Sequence, residues 1–182
     1  IWGVAIDIGT TTVTVWLVNL LTGQVEAQAS EYNGQIKRGE DVISRIVYAS
    51  KNGGAAEMRN LVLETINHLL LAVCQRYNAR KKEWESKAAP EQIVKATVAG
   101  NSTMMHLLLG IPASSIRLSP FVTAVNQAPL LSGQEVGLNI NPLGVVDCLP
   151  GVASYVGSDI TAGVLASGMD DTNRLTLFMD VG

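Results

Sequence analysis

The strongest constraint on this chain is one long apolar stripe. Met58, Leu61, Val62, Thr65, Ile66, Leu69, Leu70, Val73 and Tyr77 recur at spacings of three and four, which draws a continuous face along a single helix. A face of that length has to be buried against another layer, and the flanking sequence supplies a sheet. Residues 2–7 are apolar and β-rich, residues 13–20 alternate, and residues 25–32 can form a third strand, with turns at Gly9 and at Thr22-Gly23. The opening reads as a three-stranded antiparallel meander. Asp41 is placed to cap a helix carrying Val42, Ile43, Ile46 and Val47. Beyond the long helix, residues 93–99 read as a strand, 101–109 as a helix, 144–149 as a strand and 175–179 as a last strand. A small-residue helix capped by Ser158 or Asp159 runs to Gly168. Residues 114–134, with Pro120 and Pro129, read as irregular. Hairpin-connected strands followed by strand–helix alternation imply an α/β fold: a mixed sheet with an antiparallel edge on a parallel core and helices on its faces.

Composition excludes several functions. Of the 182 residues, 47% are hydrophobic and 16% charged, the opposite of a disordered chain. The net charge of −3 argues against a nucleic-acid binder, which needs a basic surface to neutralise phosphates. Cys74 and Cys148 are the only cysteines; widely separated, they cannot build a zinc or iron–sulfur site from this chain alone, and they read as buried reduced thiols of a cytoplasmic protein. No apolar run nears the ~18 residues of a membrane span, and no signal peptide leads the sequence. Both ends, Ile1 and Gly182, fall within or at the end of expected strands, so we expect an excised piece of a longer protein.

Several common sites are ruled out by spacing. Gly34 to Gly39 has P-loop glycine spacing, but Glu40-Asp41 stand where Lys-Ser/Thr must be. There is neither a dinucleotide GxGxxG nor a GxSxG nucleophile elbow. His68 and His106 lack a second histidine or cysteine at ligand spacing and read as structural. What remains is Asp7-Ile8-Gly9-Thr10-Thr11-Thr12 between two strands. A strand end delivers the Asp7 carboxylate to the sheet edge. Gly9 permits a tight turn and close approach of a phosphate, and successive N–H groups with the threonine hydroxyls form an anion nest. Asp7 suits a hydrated Mg²⁺. An ordinary Gly-Thr hairpin turn would look the same. The end of the chain repeats the design with Asp180 and Gly182 after an apolar run, and two such hairpins facing each other would grip one nucleotide. Between them Gly163, Ala166, Ser167 and Gly168 make a helix that another backbone can approach closely. Asp159 at its start could orient or deprotonate a water, or simply cap the helix.

In this order, phosphate hairpin, small-residue connecting helix and second phosphate strand resemble the acetate and sugar kinase, heat-shock chaperone and actin superfamily. Residues 3–12, 39–46, 98–106 and 156–163 together resemble, more closely, the ATP-dependent reductive activators of corrinoid proteins. The resemblance implies a ribonuclease H-like mixed five-stranded sheet with helices on its faces. Residues 1–174 would be the first lobe of an actin-like ATPase fold, and residues 175–182 the first strand of a second lobe. It implies ATP and Mg²⁺ as ligands, with Gly9, Thr10, Thr11, Thr12, Asn101, Asp180 and Gly182 binding nucleotide. Asp7 and Asp180 would hold the metal through water, and Asp159 with Asp7 would be catalytic. Asn101, which opens a helix straight after a strand, reads equally well as that helix's cap. The implied function is restoration of cob(I)alamin in a corrinoid partner, with electrons from a [2Fe–2S] domain that this chain lacks. A homodimer is compatible with this, and no membrane or nucleic-acid partner is expected. Two alternatives stay open: a small-molecule kinase of the same superfamily, and an actin-like assembly module switched by nucleotide.

Overall fold

The computed structural model describes residues 1–180. The expected meander is present as β1 (Trp2–Ile8), β2 (Thr12–Asn19) and β3 (Gln24–Tyr32), followed by a short 3₁₀ turn (Gly34–Arg38), α1 (Val42–Ala49) and α2 (Gly54–Asn78). Then come β4 (Ile93–Gly100), α3 (Ser102–Leu109), α4 (Ser114–Arg117), β5 (Leu131–Ser132), α5 (Gly133–Val136), β6 (Val145–Cys148) and α6 (Ser158–Ser167). The sheet order is β3-β2-β1-β4-β6-β5. β1 pairs antiparallel with β2 and parallel with β4, and β4 pairs parallel with β6.

Alternation explains the two faces of this sheet. Val4, Ile6 and Ile8 point one way and are at most 4% exposed, because successive strand residues face opposite sides. They meet the stripe of α2, where Met58, Val62, Ile66, Leu70 and Val73 are fully enclosed. Ala5 and Asp7 point the other way, toward the face that α6 partly covers.

Four expectations need correction. The sheet has six strands among the described residues rather than five. The addition is β5, two residues paired antiparallel to β6 inside a stretch that reads as irregular; two ladder positions leave too short a run for an alternation pattern to register. Residues 175–180 form no strand, because no neighbouring strand among the described residues pairs with them, and a strand exists only through such pairing. In α1 the stripe is not uniformly buried: Ile46 is enclosed, whereas Ile43 and Val47 are more than 40% exposed. Finally, the cap of α6 is Gly157, not Ser158 or Asp159. Ser158 is instead drawn inward, where its hydroxyl donates to Gly100 O at 2.9 Å and accepts from Gly100 N at 3.0 Å. Asp41 does cap α1, in a reciprocal box with Ser44.

The cysteines are buried as expected, and burial raises both thiols to about 11. His106 is structural. Its Nδ1 lies 2.6 Å from Ser102 O and so must donate, while Nε2 accepts from Ala124 N at 3.1 Å. This pairing requires the neutral ring, and burial lowers its affinity for protons. In the unfolded chain the ring protonates near 6.5, so the unfolded state binds more protons below that pH and stability falls as pH drops through this region. The urea midpoint should therefore decrease between pH 7 and 5.5, and less steeply in His106→Gln. Identical pH slopes for the two proteins would contradict this role.

Candidate active site

β1 and β4 run parallel and end side by side, with Ile8 opposite Gly100. On one flank of β1 lies an antiparallel partner and on the other a parallel one, so the chain changes direction there. The crevice beyond the carboxyl ends of strands at such a point is where α/β sheets place ligands. Here it is an open cleft of about 510 Å³ lined by Asp7, the Gly9–Thr12 turn, the start of α3 with Asn101 and Thr103, the start of α6 with Gly157, Asp159 and Ile160, and Val42, Ser154, Tyr155 and Asp180.

The floor of the cleft is main chain in van der Waals contact. Gly9 N donates to Thr12 O at 3.0 Å to close the turn, and a Cβ on Gly9 would lie 2.6 Å from that oxygen. A Cβ on Gly100 would lie 2.8 Å from Ile8 O; one on Gly157 would lie 2.6 Å from Asn101 Cα and 2.8 Å from Gly100 O. Real Cβ contacts are never this close, so each position requires glycine. Asn101 holds the elbow between β4 and α3: its Oδ1 accepts from Met104 N at 3.0 Å as the cap of α3, and its Nδ2 donates to Thr10 Oγ1 at 3.1 Å. Capping and placement at the site, which the sequence leaves as alternatives, are thus both true of this side chain.

Asp7, Asp159 and Asp180 converge on the cleft. Burial first, then the charge of Asp159, then that of Asp180, pushes the Asp7 carboxyl above its ordinary value. Asp159 is not a cap; its Oδ1 accepts from Ile160 N at 2.8 Å and otherwise stands at the lining. Asp180 arrives on the segment after α6. That segment is anchored by Phe178, whose ring occupies the space beside Gly163: a Cβ there would lie 2.4 Å from the ring tip. The glycine in α6 therefore has the packing reason that its sequence position asks for. Gly182, the remaining expected site residue, lies outside the described residues.

Among the described residues, no basic side chain belongs to this lining. The polar side chains of the lining are hydroxyls and the Asn101 amide, and they stand beside three carboxylates. A phosphate chain alone would be repelled by that charge; a phosphate chain carrying a divalent cation fits it. Among the described residues no three acidic, histidine or cysteine side chains stand close enough to ligate one ion directly; a hydrated Mg²⁺ keeps several waters and needs few protein carboxylates. The donor set thus suits Mg²⁺, whereas the two separate buried cysteines do not suit an iron–sulfur cluster.

Sequence reasoning missed Asn33, Arg45, Ser154 and Tyr155. Arg45 left a signal: it is three residues from Val42 and one from Ile46, so it shares the inward face of α1, an unusual place for a charge. No helix among the described residues is long and apolar enough to cross a membrane.

Comparison with known proteins places this geometry in context. The family described as the RACo middle region matches residues 2–172. The corrinoid activation enzyme RamQ of Eubacterium limosum is 34% identical over 183 residues, a match that takes in 100% of this chain and 29% of RamQ. A solved structure of a reductive activator for corrinoid, iron–sulfur protein superposes with a TM-score of 0.93 at 43% identity, covering 100% of this chain and 28% of that one. The chain spans less than a third of the length of these relatives.

Proposed function

This chain belongs to the RACo middle-region family, and on that premise we propose that it is the first nucleotide-binding lobe of an ATP-dependent reductive activator of a corrinoid protein in a cytoplasmic methyltransferase system. The reaction served is the one-electron reduction of cob(II)alamin to cob(I)alamin in the corrinoid partner, coupled to hydrolysis of ATP to ADP and phosphate. The electron comes from a [2Fe–2S] domain outside this chain. The relatives' names supply the corrinoid; the cleft supplies the nucleotide. The observation that carries the second part is the pairing of a glycine-threonine turn with three carboxylates, with no basic side chain in the same lining among the described residues.

In this reading the Gly9–Thr12 turn and the hydroxyls of Thr10, Thr11 and Thr12 receive phosphate oxygens, and Asn101 fixes the Thr10 hydroxyl. Asp7 and Asp180 hold the waters of Mg²⁺; when bound, that ion neutralises phosphate charge. Asp159, with its capping role removed, orients the attacking water and accepts its proton. Residues 1–174 would form the lobe, and residues 175–182 the passage toward a second one, whose surface completes the grip on the nucleotide.

The test is Mg-dependent ATP hydrolysis by the full-length protein, with and without a corrinoid protein loaded with cob(II)alamin. Turnover is expected to rise when the loaded partner is added, and cob(I)alamin to accumulate when a reductant supplies the [2Fe–2S] domain. Hydrolysis indifferent to the partner would leave the nucleotide site standing and remove the corrinoid assignment; absence of hydrolysis under all conditions would remove both.

A further inference from the structure

Beneath the Gly9–Thr12 turn, on the side away from the cleft, lie two polar side chains with almost no solvent contact: Asn33 is 1% exposed and Arg45 is 0% exposed. Asn33 Nδ2 donates to Gly9 O at 2.9 Å, Arg45 Nη2 donates to Thr10 O at 2.5 Å, and Asn33 N donates to Thr11 O at 2.8 Å. Three successive carbonyls are thus drawn inward. Resting on the reading that this turn binds the phosphates of a nucleotide, we infer that Asn33 and Arg45 are its positioning residues, and that by holding the carbonyls of Gly9 and Thr10 they aim the N–H groups of Thr10 and Thr11 into the cleft.

The argument is geometric. In a planar trans peptide the C=O and the following N–H point to opposite sides, and the only cis bond among the described residues is Ser119-Pro120. A carbonyl pinned toward the interior therefore sends the next residue's N–H outward. The N–H groups of Thr10 and Thr11 donate to no protein acceptor among the described residues, although both residues line the cleft. Successive main-chain N–H groups left unpaired on one side of a turn form an anion-binding concavity.

Arg45 adds charge to position. Its other donors reach Gly39 O at 2.9 Å, Gln35 Oε1 at 3.2 Å and Met104 Sδ at 3.3 Å. None of these is a carboxylate, and no ion pair involves Arg45 among the described residues. Burial lowers its pKa only to about 10, against the opposing pull of the Asp41 carboxylate, so the guanidinium is charged at neutral pH. Gly39 makes room for it: a Cβ there would lie 2.8 Å from Arg45 N and 3.0 Å from its Cγ. The Gly39–Arg45 segment, which follows directly on the Gly34–Gly39 stretch, thereby delivers a cation to the phosphate turn from underneath.

The experiment measures binding of Mg-ATP, Mg-ADP and AMP to the full-length protein by titration calorimetry, for wild type, Arg45→Met, Arg45→Lys and Asn33→Asp, alongside amide ¹H–¹⁵N shifts of Thr10 and Thr11 in the wild type. Hydrogen bonds to charged groups set the scale. Arg45→Met should weaken Mg-ATP about tenfold or more and AMP much less. Arg45→Lys should recover most of that loss, and Asn33→Asp should behave like Arg45→Met. The Thr10 and Thr11 amides should shift on adding Mg-ADP. Equal losses for all three nucleotides would show a role in folding alone and overturn the inference, as would wild-type affinities in a folded Arg45→Met or amides that Mg-ADP does not move. A wild type that binds no Mg-nucleotide would overturn the underlying functional reading as well, whereas tight wild-type binding with unaffected variants sinks only this one.

Discussion

Asp7→Asn is expected to lower Mg-dependent ATP hydrolysis about 100-fold and, in the same protein, to raise the melting temperature. The first effect follows from the place of Asp7 at the cleft. Outer-shell partners of a metal typically carry 10–100-fold of affinity or activity, and Asp7 is a half-buried carboxylate in the lining of the cleft. The second follows from linkage. Burial and the charges of Asp159 and Asp180 raise the folded-state pKa of Asp7 above its ordinary 3.8. The folded state therefore holds its proton to higher pH than the unfolded one, and stability declines as pH rises through that window. At neutral pH the carboxylate is ionised at a cost that the amide side chain avoids. The stabilising effect should be present at pH 7 and shrink as pH falls into the acid range, where wild-type Asp7 takes up its proton. Calorimetric scans of both proteins across that range, beside a turnover assay, check the pair of effects. A variant that loses activity and also melts lower at pH 7 would show that Asp7 is a structural support rather than a functional expense.

Gly157→Ala should be strongly damaging, because its methyl has no room at the floor of the cleft. The added carbon would sit 2.6 Å from Asn101 Cα, 2.8 Å from Gly100 O and 2.7 Å from Asp159 Oδ1. Two of the three obstacles are main chain and cannot rotate aside. Relief requires α6 to draw back from β4, breaking the double contact of Ser158 with Gly100. Overpacking of this kind costs about 1–3 kcal/mol, and each kcal/mol lowers the melting point by roughly 2–4 °C in a chain of this size. Because Asp159 rides on the first turn of α6, a displacement near 1 Å should also cost about 100-fold in turnover. Gly163→Ala provides the contrast: its methyl would meet the tip of the Phe178 ring, a side chain that can swing away, so the loss in stability should be smaller. Equal melting points for Gly157→Ala and wild type would refute the tight contact at the cleft floor.

How much of this was legible beforehand depends on the range of the interaction. The α2 stripe is local and periodic, and its residues occupy the core as their spacing requires. The turn between β1 and β2 was legible for a similar reason, since a glycine and three threonines between two alternating strands mark a turn, although an ordinary hairpin turn reads the same. Features that depend on distant partners were not. The β5 pairing covers two residues and leaves no pattern. The apolar run at residues 175–179 has strand composition, yet composition cannot supply a neighbour to pair with. Asp159 looked like a helix cap because its residue type and place favour one; the structure gives that post to Gly157, and only packing against Asn101 and Gly100 explains why. Arg45 was passed over because an arginine is ordinarily read as a solvent-facing residue, although its register on α1 already pointed inward.

The glycine-built floor has a consequence for how such a protein can diversify. A surface made of main chain carries no side-chain alphabet: substitutions there cannot rewrite what is recognised, they can only dislocate it. Descendants of one ancestral sequence would keep that patch as a fixed fitting while remaining at liberty to alter the exposed rim, where Tyr155 stands in solvent. Divergence among relatives that serve different clients should therefore concentrate at the rim and vanish at the floor.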